Sequence, residues 1–203
     1  MSEDVPYVLG INGSPHKDGI VGKLIEGVLD GAKEKGAKTR VVNLYDLDIV
    51  HEPGYYSEDP KKEIPANIPK DGITALYPDL IKADCLVLGT PVYWANMSGV
   101  MKDFIDHLTA LENDDFKLEG KIAVFIAASK ENEGGLEMAD MSMVAALAQM
   151  GVLIPPYGIL WAPGSSGTAK IGHSKWAEED APHIGKNIVT LAKLFKENKV
   201  SWY

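Results

Sequence analysis

A doubly wound α/β sheet, with five parallel strands in the order 2-1-3-4-5 and helices on both faces, is the fold class this sequence predicts. Three observations lead there. Short apolar runs alternate along the chain with stretches of helical period. Those runs are apolar enough to be buried on both faces, as strands of a parallel sheet are. No repeat, low-complexity segment or linker divides residues 1–203, which fit one large domain.

The elements follow in order. Tyr7-Val8-Leu9-Gly10-Ile11-Asn12-Gly13 reads as a buried strand ending in a glycine turn. Val21, Leu24, Ile25, Val28, Leu29 and Ala32 then recur at helical spacing, with Gly36 as the stop. A second strand covers Thr39–Leu44, and regular structure lapses from Tyr45 to Pro69, a length that points to a functional or interface segment, with a disordered flap as the other reading. A short helix is predicted over Gly72–Lys82, a third strand over Asp84–Gly89, and a helix marked by Val100, Met101, Phe104, Ile105 and Leu108. The acidic run Glu112–Asp115 reads as a solvated turn. Ile122–Ala127 makes the fourth strand and Leu136–Met150 the next helix, closed by Gly151. Val152-Leu153-Ile154, continuing through Pro155 to Trp161, supplies a fifth strand that its prolines confine to an edge or bulge. Ala181–Glu197 is the last helix.

Composition narrows the function classes. A formal charge of −9 argues against a nucleic-acid partner, whose phosphates need clustered Lys and Arg. The start, Met1-Ser2-Glu3-Asp4, has no basic segment or long apolar stretch, so a cytoplasmic location is expected. No run approaches the roughly 18–20 apolar residues of a membrane span. Cys85 has no partner for an internal disulfide and packs as a small hydrophobe. His173 and His183 have no carboxylate or cysteine partner at ligand spacing, and His51 with Glu52 is a weak case, so no metal site is expected.

In this strand order the ligand crevice lies beyond the carboxyl ends of strands 1 and 3, where the winding reverses. The loop after strand 1 delivers Gly19, Ile20, Val21 and Gly22 to a helix start, where unpaired N–H groups and the helix dipole favour a phosphate. Ser14 adds a hydroxyl beside Pro15, and His16 or Lys17 partly neutralises the charge. Neither a G-x-G-x-x-G spacing nor a P-loop is present, so a terminal monophosphate fits better than a pyrophosphate. The loop after strand 3 sets Tyr93-Trp94 behind Pro91-Val92 at the opposite lip, a surface suited to a flat heteroaromatic ring. The loop Ala128–Gly135, with Ser129 near its start, either reaches the edge of that ring or simply caps the next helix; both readings stay open.

A phosphoacceptor receiver would need an acidic pair at the end of strand 1, where Ile11-Asn12-Gly13 stands. A serine hydrolase would need G-x-S-x-G at an elbow, and Gly164-Ser165-Ser166-Gly167 has the wrong spacing.

Gly13-Ser14-Pro15 through Leu24, Pro91-Val92-Tyr93-Trp94, and Met97-Ser98-Gly99 with Lys102, Phe104, Ile105 and Asp106 resemble the NADPH-dependent FMN reductase family. The likeness covers most of the chain and extends to iron-sulfur flavoproteins and NAD(P)H:quinone reductases of flavodoxin-like fold. It implies FMN with its phosphate on the first loop and its isoalloxazine beside the second, and a homodimer or homotetramer with sites near subunit interfaces. Two departures stand out. Ile20 and Val21 occupy positions where relatives place Asn or Ser and then Thr, leaving backbone N–H groups to hold the phosphate. The iron-sulfur relatives' cysteine cluster is replaced by His51-Glu52-Pro53-Gly54-Tyr55-Tyr56, and with a single cysteine in the chain such a cluster is excluded.

The function expected is hydride transfer from NADPH or NADH through FMN to a small acceptor such as a quinone or free flavin, with no side chain required as acid or base. The alternative is a flavodoxin-type carrier that passes electrons between proteins and never meets a nicotinamide.

Overall fold

The computed structural model describes residues 5–51, 70–130, 134–164, 177–198 and 200. Met1–Asp4, the 52–69 part of the irregular segment with Glu52, residues 131–133, the Ser165–Gly167 string and His173 lie outside them.

Five strands, β1 (Tyr7–Asn12), β2 (Lys38–Asn43), β3 (Cys85–Pro91), β4 (Ile122–Ala128) and β5 (Ile159–Ala162), pair in parallel in the order β2-β1-β3-β4-β5. Register runs from Tyr7 opposite Lys38 and Val8 opposite Cys85 to Cys85 opposite Ile122 and Phe125 opposite Ile159. Alternate residues along each strand go to opposite faces. Val8, Val87, Val124, Ile126 and Leu160 pack with α1 (Ile20–Glu34) and α6 (Ala177–Glu197). Leu9, Ile11, Leu86, Leu88 and Phe125 pack on the other face with α2 (Tyr77–Lys82), α3 (Gly99–His107), α4 (Thr109–Asn113) and α5 (Leu136–Gln149). The apolar positions that predict α1 are all buried. Helices α1 and α6 cross closely because a Cβ on Gly31 or Gly185 would sit 1.9 Å from a backbone oxygen of the other helix.

Four boundaries differ from the sequence reading. The predicted helix from Gly72 becomes a 3-10 turn, Thr74–Leu76, and a shorter α2, because Pro78 lies at the start of the α-helix and Asp71 accepts the N–H groups of Ile73 and Thr74 ahead of it. Glu112 and Asn113 belong to α4 rather than to a solvated turn, with Ala110 and Leu111 of that helix buried. Strand β5 is only four residues long: Pro155 and Pro156 cannot donate to a ladder, Leu153 makes an isolated bridge to Ile122, and a turn closed from Gly158 N–H to Pro155 C=O restarts the strand at the sheet edge. Helix α6 begins at Ala177, four residues before the predicted start, and carries Pro182 inside its N-terminal part.

Cys85 is buried in β3, where desolvation pushes its thiol well above the usual range and its weak S–H donates to Ile188 C=O at 3.7 Å. That is the chemistry of an inert thiol. Among the described residues no helix is long and apolar enough to cross a membrane.

Candidate active-site cavity at the switch point

The first loop takes its shape from two short polar turns. Asn12 Oδ1 accepts Ser14 N–H at 2.9 Å and Ser14 Oγ accepts His16 N–H at 3.1 Å, while Asn12 Nδ2 donates to Asn43 Oδ1 at 3.0 Å. The chain then enters α1 through Gly19, which has extended φ/ψ and offers no capping side chain. The first helical hydrogen bond runs from Lys23 N–H to Gly19 C=O at 3.0 Å, so the amides of Ile20, Val21 and Gly22 precede it and have no acceptor among the described residues. Gly22 is glycine because the Lys17 carbonyl oxygen lies 1.8 Å from where its Cβ would stand.

The second loop is a tight hairpin. Tyr93 and Asn96 exchange backbone hydrogen bonds of 2.9 and 3.1 Å, and the two residues between them, Trp94 (φ +51) and Ala95 (φ +57), are both left-handed. Such a turn favours Asn-Gly, and a Trp-Ala pair there costs about 1–2 kcal/mol per residue. Helix α5 braces it: Ser142 Oγ donates to Asn96 Oδ1 at 3.0 Å, and Gly135 at the helix start packs so closely on Ala95 that a Cβ would lie 2.8 Å from its Cα. Held in this way, the Trp94 indole stands fully exposed at the lip. Tyr45 stands near Tyr93, its phenol pushed up first by burial and then by that neighbour.

Between the loops lies a cavity of about 810 Å³, within the range of small-molecule sites. Of the sequence-predicted site residues, Ser14, His16, Gly19, Ile20, Val21, Pro91, Val92, Tyr93, Trp94 and Ser129 line it. Pro15 and Lys17 do not. Pro15 is exposed outside the wall, and the Lys17 ammonium is paired with Asp46 at 2.6 Å on the solvent side. The wall also contains Ala95 and Gly164, together with Ala128, Lys130, Gly134 and Gly135 of the third loop, of which the sequence reading singled out only Ser129 as a site residue. The Gly134-Gly135 pair is the signal that was there to be read, since both residues adopt positive φ to bring the third loop to the cavity.

Asp140 of α5 is wholly buried, and among the described residues neither of its carboxyl oxygens has a hydrogen-bond partner. Burial pushes its pKa up to about 8; the Trp161 indole, near enough to favour the charged form but making no hydrogen bond within 3.5 Å, opposes this, and Glu137 adds to the rise. Among the described residues no group of His, Cys, Asp or Glu is arranged to hold a metal ion.

Comparison with known proteins agrees with this geometry. An iron-sulfur flavoprotein of Archaeoglobus fulgidus is 28% identical over 209 residues, covering 96% of this chain and 99% of the relative. An NAD(P)H dehydrogenase (quinone) of the same organism is 31% identical over 182 residues, covering 84% of this chain and 90% of the relative. A solved flavodoxin, a WrbA-like protein from Agrobacterium tumefaciens, superimposes with a TM-score of 0.62 at 18% identity, covering 93% of this chain and 98% of that one, and has the same fold. The family model of the NADPH-dependent FMN reductases matches residues 6–166, and the chain belongs to that family.

Proposed function

We propose that this chain holds FMN in the cavity between the β1 and β3 loops and uses it to carry reducing equivalents from NADPH or NADH to a small acceptor, with a quinone the first candidate. The observation that carries the reading is the pairing of three amides with no acceptor among the described residues, those of Ile20, Val21 and Gly22, with an aromatic lip at Tyr93 and Trp94 across one cavity. The donors fit a monophosphate. Backbone N–H groups at a helix start bind anions, and Ser14 still has its hydroxyl proton to give. Pro91, Val92, Ala128 and Gly135 make walls for a flat ring, and Ser129 and Gly134 lie within the same wall.

FMN supplies the hydride chemistry when bound. The protein's part is binding and orientation: Ile20 and Val21 contribute apolar contact and main-chain donors, and the braced hairpin keeps Trp94 at the mouth. No side chain is assigned as acid or base. An acceptor named in a relative is the basis for the quinone: the Archaeoglobus fulgidus protein is described as an NAD(P)H dehydrogenase (quinone). Exposed Trp94, Met138 and Met141, with α5 tied to the hairpin through Ser142, support assembly into a homodimer or homotetramer over this face.

Trp94→Gly tests the aromatic lip without breaking the turn, because glycine takes φ +51 freely. Titration followed by flavin fluorescence is expected to show FMN affinity falling about tenfold while the melting temperature holds or rises. Unchanged affinity would remove Trp94 from the site.

A further inference from the structure

Ser98 has no exposed surface and sits where three parts of the site meet. Its hydroxyl donates to the Gly13 carbonyl at 2.8 Å and accepts Met101 N–H at 3.4 Å as the cap of α3. Its own N–H donates to Thr90 Oγ1 at 2.9 Å, and the Thr90 hydroxyl donates to Pro91 C=O at 3.0 Å. Gly13 opens the phosphate loop and is bonded in turn from its N–H to Gly89 C=O at 2.8 Å. A Cβ on Gly13 would meet Met101 at 3.0 Å and Ser98 Oγ at 3.1 Å, so the first turn of α3 is pressed against that loop. Among the described residues no other side-chain hydrogen bond joins the loop of residues 13–19 to the loop of residues 91–98.

We propose that Ser98 is a positioning residue that fixes the spacing between the two lips of the cavity, so that one ligand can engage the phosphate loop and the aromatic loop together. The inference rests on the reading of that cavity as the FMN site. A helix cap alone needs only an acceptor, which Asp or Asn supplies as well as Ser. Here the hydroxyl proton is committed to a carbonyl on another loop, and only a group that donates and accepts at one atom serves both. A ligand that spans both lips depends on their separation, whereas one that occupies the ring end alone depends on it far less.

The test compares FMN with riboflavin, which lacks the phosphate, by fluorescence titration of the wild-type protein, Ser98→Ala, Ser98→Thr and Thr90→Val. The wild-type protein is expected to prefer FMN. Ser98→Ala should reduce that preference about tenfold while leaving riboflavin affinity within about twofold. Ser98→Thr, which keeps the hydroxyl, should restore it. Equal losses for both flavins, or an unchanged ratio, would overturn the role of Ser98 while leaving the site standing. A wild-type protein with no preference for FMN would overturn the phosphate-loop reading, and the role of Ser98 with it. Should Ser98→Ala not fold, Thr90→Val must lower the FMN:riboflavin ratio in the same direction, and an unchanged ratio there counts against the proposal.

Discussion

Gly22 and Asp140 show how single residues constrain this site from opposite sides. At Gly22 the constraint is space: Gly22→Ala would drive a methyl into the Lys17 carbonyl, forcing the phosphate loop off the first turn of α1. The expected cost is about 1–3 kcal/mol of stability by denaturant unfolding, together with loss of FMN retention. At Asp140 the constraint is charge. A carboxyl raised from 3.8 to about 8 on folding takes up a proton, so its contribution to stability is complete below pH 4 and is lost as pH rises toward 8. The melting temperature of the wild-type protein is therefore expected to fall from pH 5 to pH 9, and that of Asp140→Asn to fall distinctly less; parallel curves would mean Asp140 is ionised throughout. The loop glycines and the aromatic pair were legible in the sequence because their chemistry is local. Lys17 was not: the sequence marks it as a phosphate cation, but its partner Asp46 follows β2 and meets it only once the sheet is assembled. Nor does the helical period of α5 reveal Asp140, a polar residue placed on the buried face between Leu136 and Met143.

At the scale of elements, the segment leading into β3 is held by α3. Asp71 caps its 3-10 turn, accepting the N–H groups of Ile73 and Thr74 at 2.9 Å and of Val50 at 3.1 Å, and pairs with His107 Nε2 at 3.1 Å, both side chains fully buried. His107 Nδ1 faces the Asp103 carbonyl at 2.7 Å. Burial pushes the Asp71 carboxyl pKa up, but the backbone donors and His107 outweigh it and hold the group below its ordinary 3.8. Its contribution is thus present above that value and lost as pH falls through the lowered one. Asp71→Ala strips the acceptor from the N–H groups of Val50, Ile73 and Thr74 and is expected to cost about 1–3 kcal/mol in urea unfolding, with the loss shrinking in strong acid. The periodic elements α1, α3, α5 and β1–β4 emerge from sequence because apolar period decides them. The edges of β5 and α2 do not, because proline and capping chemistry override period there.

Across the whole molecule, the strand order places the loops after β1 and β3 at one edge of the sheet, with α1 and α6 on one face and α2–α5 on the other. The cavity is a consequence of that winding, and the sequence discloses it as soon as the order 2-1-3-4-5 is read. What it does not disclose is the depth of the wall behind the ring end, because Ala128, Gly134 and Gly135 have no functional side chains and contribute only backbone and absence of bulk. The net charge of −9 suits a protein whose anionic ligand is met by main-chain amides rather than by a basic surface.

Whether this cavity holds FMN and lets a nicotinamide reduce it is decided by absorption spectroscopy: add FMN to purified protein, remove the excess, exclude oxygen and add NADPH or NADH. A retained flavin band that bleaches quickly is the predicted result. A retained band that stays yellow until dithionite is added would contradict the reductase in favour of an electron carrier, and no retained band would contradict the cofactor site itself.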